Sequence, residues 1–390
     1  ALGAASAMAA VEDLSPPVTT DDYDGLWHNA DVLVTLSATD DLSGVASTEY
    51  SSDGVSYVPG LLIFVPTSVG DGEHTYYYRS TDVAGNVESP KSCVVRIDTQ
   101  PPVTTVSGDD TRWHRKPVVL SFSAEDQPGL SGIAKTEYKI DSRSWTSGSR
   151  ATVKASANHR WDGVHTVSFR SLDNAGNREA AKSRKVRIDT RGPVCAALAN
   201  VSATQNGYAT LRYRVSDALS NKAKVVLKVQ NARGRTIKSI SLGSRSTGKK
   251  LSYRLKCSFS PGAYRYAVYA TDLAGNKQSK VGVNRLTVKP RVLARISASV
   301  SSSRPSQYTD VTAYCKAKDQ SGKPLSGVRV KFVWHYKTTT PSESRTTNAR
   351  GVAACTRYIS GATAGYRVVI TVTATYKGVT KTASTSFTPH

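Results

Sequence analysis

The chain predicts an all-β protein, four tandem antiparallel β-sandwiches strung in an extended rod. Three observations carry this. Apolar and polar residues alternate in short runs, the period of a half-buried strand. Gly, Asn, Asp and Pro punctuate those runs at close spacing, as turns do. One ordered set of marks recurs at a period the size of a whole small domain, too long for a solenoid unit. Composition agrees: 1 Met, 6 Phe and 19 Tyr in 390 residues argue for strands and against a helical bundle. No stretch nears the ~18 apolar residues of a membrane helix, so no span is expected.

Residues 1–15 form an N-terminal arm. Ala7-Met8-Ala9 has the small residues that end a signal peptide, which places a cleavage after Ala9. If the arm is retained, it is a frayed end or a strand donated to a neighbouring subunit. Module 1 spans 16–99, module 2 spans 100–190, module 3 spans 191–289 and module 4 spans 290–390.

In module 1, Pro16-Pro17-Val18-Thr19-Thr20 is followed by Trp27-His28 and by the strand-like run 32–38. Asp40, Ser43-Gly44, Glu49-Tyr50, Asp71-Gly72-Glu73-His74-Thr75, Asp82-Val83-Ala84-Gly85-Asn86 and Ile97-Asp98-Thr99 complete the set. Module 2 repeats it from Pro101-Pro102 and Trp113-His114 through Asp126, Ser131-Gly132, Asp162-Gly163 and His165 to Asp173-Asn174-Ala175-Gly176-Asn177 and Asp189. Module 3 keeps Gly192-Pro193, Asp217 and Asp272-Leu273-Ala274-Gly275-Asn276. Within the runs, Val34 and Leu36 share an inward face that Val118, Leu120 and Phe122 repeat. The Ala-Gly-Asn triplets read as turns in which Gly takes a positive φ and the preceding Asp accepts turn amides. Pro-Pro at the heads of modules 1 and 2 favours a stiff, extended path.

These residues resemble bacterial Ig-like surface repeats. The likeness covers about 16–190 through Trp-His, Ala-x-Asp, Ser-Gly, Asp-Gly-x-His-Thr and Asp-x-Ala-Gly-Asn, and reaches module 3 only at its end. Residues 290–390 resemble a different type, the invasin/intimin-like module, through Asp319-Gln320-Ser321-Gly322, Thr346-Thr347-Asn348-Ala349-Arg350-Gly351 and the strand 366–374. The resemblance implies a surface-exposed or secreted protein with a spacer, adhesive or scaffolding role.

Cysteine usage points the same way. Cys195 and Cys257 lie in module 3, Cys315 and Cys355 in module 4, two to a module. Intramodular disulfides are expected in an oxidising compartment, with buried free thiols as the alternative. Cys93 is left over and reads as a buried thiol or an intersubunit bridge.

Candidate chemistry is sparse, and no enzyme is expected. His28 and His114 follow Trp, while His74 and His165 stand two residues beyond Asp-Gly; identical repetition in spacer modules marks them as structural. No nucleophile–base set and no phosphate-binding Gly loop emerges. Asp40, Asp41, Asp82 and Asp98 recur as Asp126, Asp173 and Asp189 beside loops and joints. Their hard oxygens suit Ca²⁺ at a joint, and turn capping explains them equally well without a metal. No other cofactor is expected.

The formal charge of +22 is unevenly placed. Module 1 with its arm holds 3 basic and 15 acidic groups, module 2 holds 15 and 10, module 3 holds 19 and 2, and module 4 holds 15 and 3. Basic residues alternate along strands, as in Lys224-Val225-Val226-Leu227-Lys228, with no nucleic-acid motif beside them. The expected function is an extracellular or cell-surface fibre subunit joining copies of itself head-to-tail, acidic module to basic module. The alternatives are a non-polymerising adhesin or stalk that binds anionic cell-wall or host polymers, and the accessory tail of a larger secreted hydrolase. At ~3.3 Å per strand residue the rod is expected to reach roughly 150 Å.

Overall fold

The computed structural model describes residues 11–390. The expected cleavage after Ala9 and most of the arm fall on residues 1–10, outside the described residues; residues 11–17 precede the first strand. All the regular structure described is β, apart from one short 3₁₀ turn at Thr67–Val69. The chain forms two compact units. One holds residues 11–191 with the turn Leu273–Asn276; the other holds Gly192–Asp272 and Lys277–His390.

In the first unit, alternation decides which side chains enter the core. Along Val32–Thr39, Val32, Val34 and Leu36 are buried while Leu33, Thr35 and Ser37 face out. This strand pairs antiparallel with Val18–Asp21 and Leu62–Val65 to make a three-stranded sheet. Facing it is a five-stranded sheet: Trp27–His28, Lys91–Ile97, Gly72–Asp82, Val45–Ser51 and Val58–Pro59. The two sheets close over Val34, Ile63, Val65, Tyr78, Cys93, Val95 and Ile97. Residues 103–188 repeat this plan strand for strand around Leu120, Phe122, Val167, Phe169, Val186 and Ile188. In both, the Trp-His dipeptide is a two-residue strand that pairs parallel with the last strand.

The second unit holds two further sandwiches with separate cores. One packs a three-stranded sheet on a five-stranded one around Leu211, Tyr213, Leu227, Leu255, Tyr266 and Leu286. The other packs three strands on four around Val330, Phe332, Trp334, Ile370, Val372 and Phe387.

The Ala-Gly-Asn reading holds at the backbone. Gly85, Gly176 and Gly275 have φ of 95°, 94° and 88°, values that a side chain would strain. Asp82 accepts the Asn86 amide N–H at 2.7 Å, and Asp173 accepts that of Asn177 at 2.7 Å.

The disulfide expectation is corrected: Cys93, Cys195, Cys257, Cys315 and Cys355 are all buried free thiols. The reason is strand order. Cys195 lies opposite Val215 on Tyr208–Ser216, whereas Cys257 bonds Gly207, just before the other end of that strand. They flank a common neighbour on opposite sides, beyond the ~7 Å Cα separation a disulfide tolerates. Cys315 and Cys355 are on adjacent strands, but in register Cys315 faces Ala353 and Cys355 faces Ala313. Such diagonal neighbours sit ~7–8 Å apart, again too far.

Candidate functional site

The residues that stand out are the aspartates at the start of each module in the first unit. The end of a core strand delivers one, the Ala-Gly-Asn turn a second and the segment before the Pro-Pro step a third. Asp98, Asp126 and Asp173 each place an oxygen within 4.8 Å of the others, and so do Asp13, Asp40 and Asp82. Asp98, Asp173 and Asp82 are 0 %, 1 % and 2 % exposed, while Asp13, Asp40 and Asp126 are less deeply placed.

Each carboxylate is anchored. Asp98 accepts Gln100 N at 3.0 Å on one oxygen, and Ser131 N and Oγ at 3.1 and 2.5 Å on the other. Asp126 Oδ2 accepts Gly132 N at 2.7 Å, and Asp40 Oδ2 accepts Gly44 N at 2.6 Å. The other oxygens of this last pair, Asp126 Oδ1 and Asp40 Oδ1, are buried with no hydrogen-bond partner. The joint itself is stitched. Asn177 Nδ2 donates to the Asp98 carbonyl at 2.7 Å, and Asn86 Nδ2 donates to that of Asp13 at 3.0 Å. Burial, with Asp98 and Asp173 adding like charge, pushes the Asp126 carboxyl above its ordinary pKa. At such spacing each like-charged pair costs roughly 3 kcal/mol at an effective dielectric of about 20.

The sequence expectation singled out Asp40, Asp82, Asp98, Asp126 and Asp173, which the structure gathers into these two clusters. It missed Asp13, although Asp13-Leu14-Ser15-Pro16-Pro17 matches Asp98-Thr99-Gln100-Pro101-Pro102. Asp98 closes the core strand of one module yet serves the cluster of the next. Asp41 is exposed and outside the cluster. Asp189 is 1 % exposed; its N–H donates to the His114 carbonyl, and its Oδ1 accepts Arg191 N at 3.2 Å.

In the second unit the joint before residues 293–387 has another chemistry. Asp319 ends a core strand as Asp126 does, but Arg291 Nε meets its Oδ2 at 2.7 Å. Burial raises the Asp319 carboxyl, but the Lys323 backbone N–H, the Arg291 pairing and the Ser321 backbone N–H outweigh it and hold the pKa below its ordinary value. The neighbouring glutamine is used alike in both: Gln320 Nε2 donates to the Pro290 carbonyl at 2.7 Å and Gln127 Nε2 to that of Pro101 at 3.2 Å.

A second buried acid supports each sandwich of the first unit. Glu88 accepts Thr19 N at 2.9 Å and pairs with Lys91 at 2.7 Å. Glu179 does the same with Thr104 N at 3.1 Å and Lys182 at 2.8 Å. The third sandwich has neutral Gln278 there, its Oε1 accepting Ala270 N at 3.2 Å. The histidines are held locally: His28 bonds Asp24, His74 the Gly70 carbonyl, His114 Asp109 and His165 Asp141. Burial pushes the Cys93, Cys195 and Cys315 thiols up to about 11.

One surface is unusual. On the outer face of the first sandwich's three-stranded sheet, Leu33, Leu62 and Phe64 are 57 %, 51 % and 58 % exposed. Leu33 is opposite Phe64, and Thr35 opposite Leu62. The second sandwich has Val119, Arg150 and Thr152 at the matching positions.

Residues 121–190 match the family model of a bacterial Ig-like domain. No curated protein matches the chain. Among solved structures it is similar to the tetra-tandem repeat in the extending region of a large adhesion protein, at 16% identity and TM-score 0.35, covering 96% of this chain and 99% of that one. It is also similar to an ICAM-5 D1–D4 ectodomain fragment, at 12% identity and TM-score 0.40, covering 96% and 100%. FdeC, an Escherichia coli adhesin, is similar at 14% identity and TM-score 0.31, covering 74% and 96%. At these identities and TM-scores nothing of those proteins' roles is carried to this chain.

Proposed function

We propose that the chain is a non-catalytic structural protein of the bacterial surface or exterior, and that its copies associate head-to-tail through the first module. The finer kinships belong to the same proposal, with surface-repeat modules at 16–99 and 191–289 and an invasin/intimin-like module at 290–390. The observation that carries it is the apolar face of Leu33, Leu62 and Phe64 on a module with 13 acidic and 3 basic groups, in a chain of net charge +22. Patches of exposed apolar residues ringed by charge mark interaction surfaces. Modules 3 and 4 carry 34 basic against 5 acidic groups, so a second copy supplies the complementary partner. A contact between unlike surfaces that does not close on itself grows a filament.

Sedimentation velocity and electron microscopy at low and high salt test this. Association is expected at low ionic strength, with loss near 1 M NaCl as exposed charges are screened. Phe64→Lys is expected to weaken association at least tenfold without altering the fold. Monodisperse protein at every salt overturns self-association. In that outcome, co-sedimentation with a polyanionic wall polymer tests the adhesin reading that the basic modules favour.

A further inference from the structure

We propose that the clusters Asp13/Asp40/Asp82 and Asp98/Asp126/Asp173 are calcium sites, one at the head of each of the first two modules. The proposal goes beyond the surface role above and stands whether or not copies associate.

Three observations converge. Three carboxylates gather within 4.8 Å of one another, with Asp82, Asp98 and Asp173 almost wholly buried. Turn capping does not require this: an asparagine accepts the same amide hydrogen bonds without the like charge. Independently, Asp126 Oδ1 and Asp40 Oδ1 are buried acceptors with no donor, at corresponding positions of two separately folded modules. A buried oxygen left unbonded is costly, and the same loss twice over identifies a missing partner. Finally, the second unit shows what this position demands: at Asp319 the chain supplies its own cation, Arg291, at 2.7 Å. The salt bridges of the first unit give these six aspartates no such cation among the described residues.

The donor set selects the ion. It is all oxygen, with no His or Cys in either cluster, which favours a hard cation over zinc or copper. The ligands come from a joint, a strand end and a turn, an irregular set that suits the loose coordination of Ca²⁺ better than the strict octahedron of Mg²⁺. Carbonyl oxygens and water complete the 6–8 ligands calcium takes.

The test uses the full chain, stripped with EDTA and titrated with CaCl₂ alone, by calorimetry and thermal melting. Dissociation constants of about 10⁻⁵–10⁻³ M are expected, as for extracellular modules. Asp40→Asn and Asp126→Asn are each expected to remove one calcium equivalent, and the double variant two. In 10 mM Ca²⁺ the wild-type first-unit transition is expected to rise by roughly 5–10 °C. The sign of the variant effect separates ligand from cap. In EDTA, Asp126→Asn is expected to melt no lower than wild type because it relieves repulsion; in Ca²⁺ it melts lower. Absence of heat and of any melting shift in the wild type overturns the proposal, as does Asp126→Asn lowering the melt equally in EDTA and Ca²⁺. An equal response to MgCl₂ overturns the choice of calcium.

Discussion

The joint that opens the second module and the joint that opens the fourth present the same Asp-Gln dipeptide to the same proline carbonyl, yet they balance charge in opposite ways. At the fourth module Asp319, 2 % exposed, faces Arg291 and is neutralised by the chain. At the second, Asp126 faces two further aspartates. One joint is complete as synthesised. The other depends on what the surrounding solution contains, so its strength can vary with that solution while the fourth module's cannot.

The comparison breaks most sharply at Arg291. Arg291→Ala leaves Asp319 buried without a cation and is expected to destabilise the fourth module by about 3 kcal/mol, since removing one partner strands the other's charge. Calcium is expected not to restore it, because a single carboxylate is a poor site. Denaturant unfolding with and without Ca²⁺ reads both effects, and rescue by Ca²⁺ would erase the distinction between the joints.

A smaller effect sharpens the contrast inside the sandwiches. Burial raises the Glu88 carboxyl, but Lys91 and Thr19 outweigh it and hold the pKa below its ordinary value; Glu179 is lowered in the same way by Lys182 and Thr104. A depressed carboxylate contributes stability that is complete above the unfolded pKa and is lost as pH falls through the folded one. The first two modules are therefore expected to weaken below about pH 4, while the third, with Gln278 in that place, lacks this loss. Glu88→Gln is expected to cost about 1–2 kcal/mol at neutral pH, by weakening a charged hydrogen-bond network, and to flatten the acid limb. Melting curves from pH 3 to pH 7 measure it.

The smallest expected effect is none. With all five thiols free, reductant is expected to leave every melting transition in place. A thiol reagent should count five groups in denaturant and far fewer in the native protein, where burial keeps the thiols protonated. A transition that drops on reduction would restore the disulfides.

What the sequence made legible is what neighbouring residues decide. The inward face of Val34 and Leu36, the positive φ of Gly85 and Gly176, and the capping by Asp82 and Asp173 all follow from short-range pattern. The errors lie where strand order decides. Two cysteines per module looked like a pair until Tyr208–Ser216 ran between Cys195 and Cys257. Asp98 looked like the end of one module because its strand is there; that its carboxylate turns to Ser131 is a long-range fact. Asp13 went unread because it precedes the first complete repeat, although its Pro-Pro spacing was the signal.

Asp98 also marks where one self-contained link of this chain begins. The stretch from Asp98 to Ile188 contains its own head cluster, its own core and the Asn177 amide that grips the Asp98 carbonyl. A gene segment copied between those points inserts a link already equipped with its fastening, so such a chain can lengthen or shorten by whole links without any new coupling having to evolve.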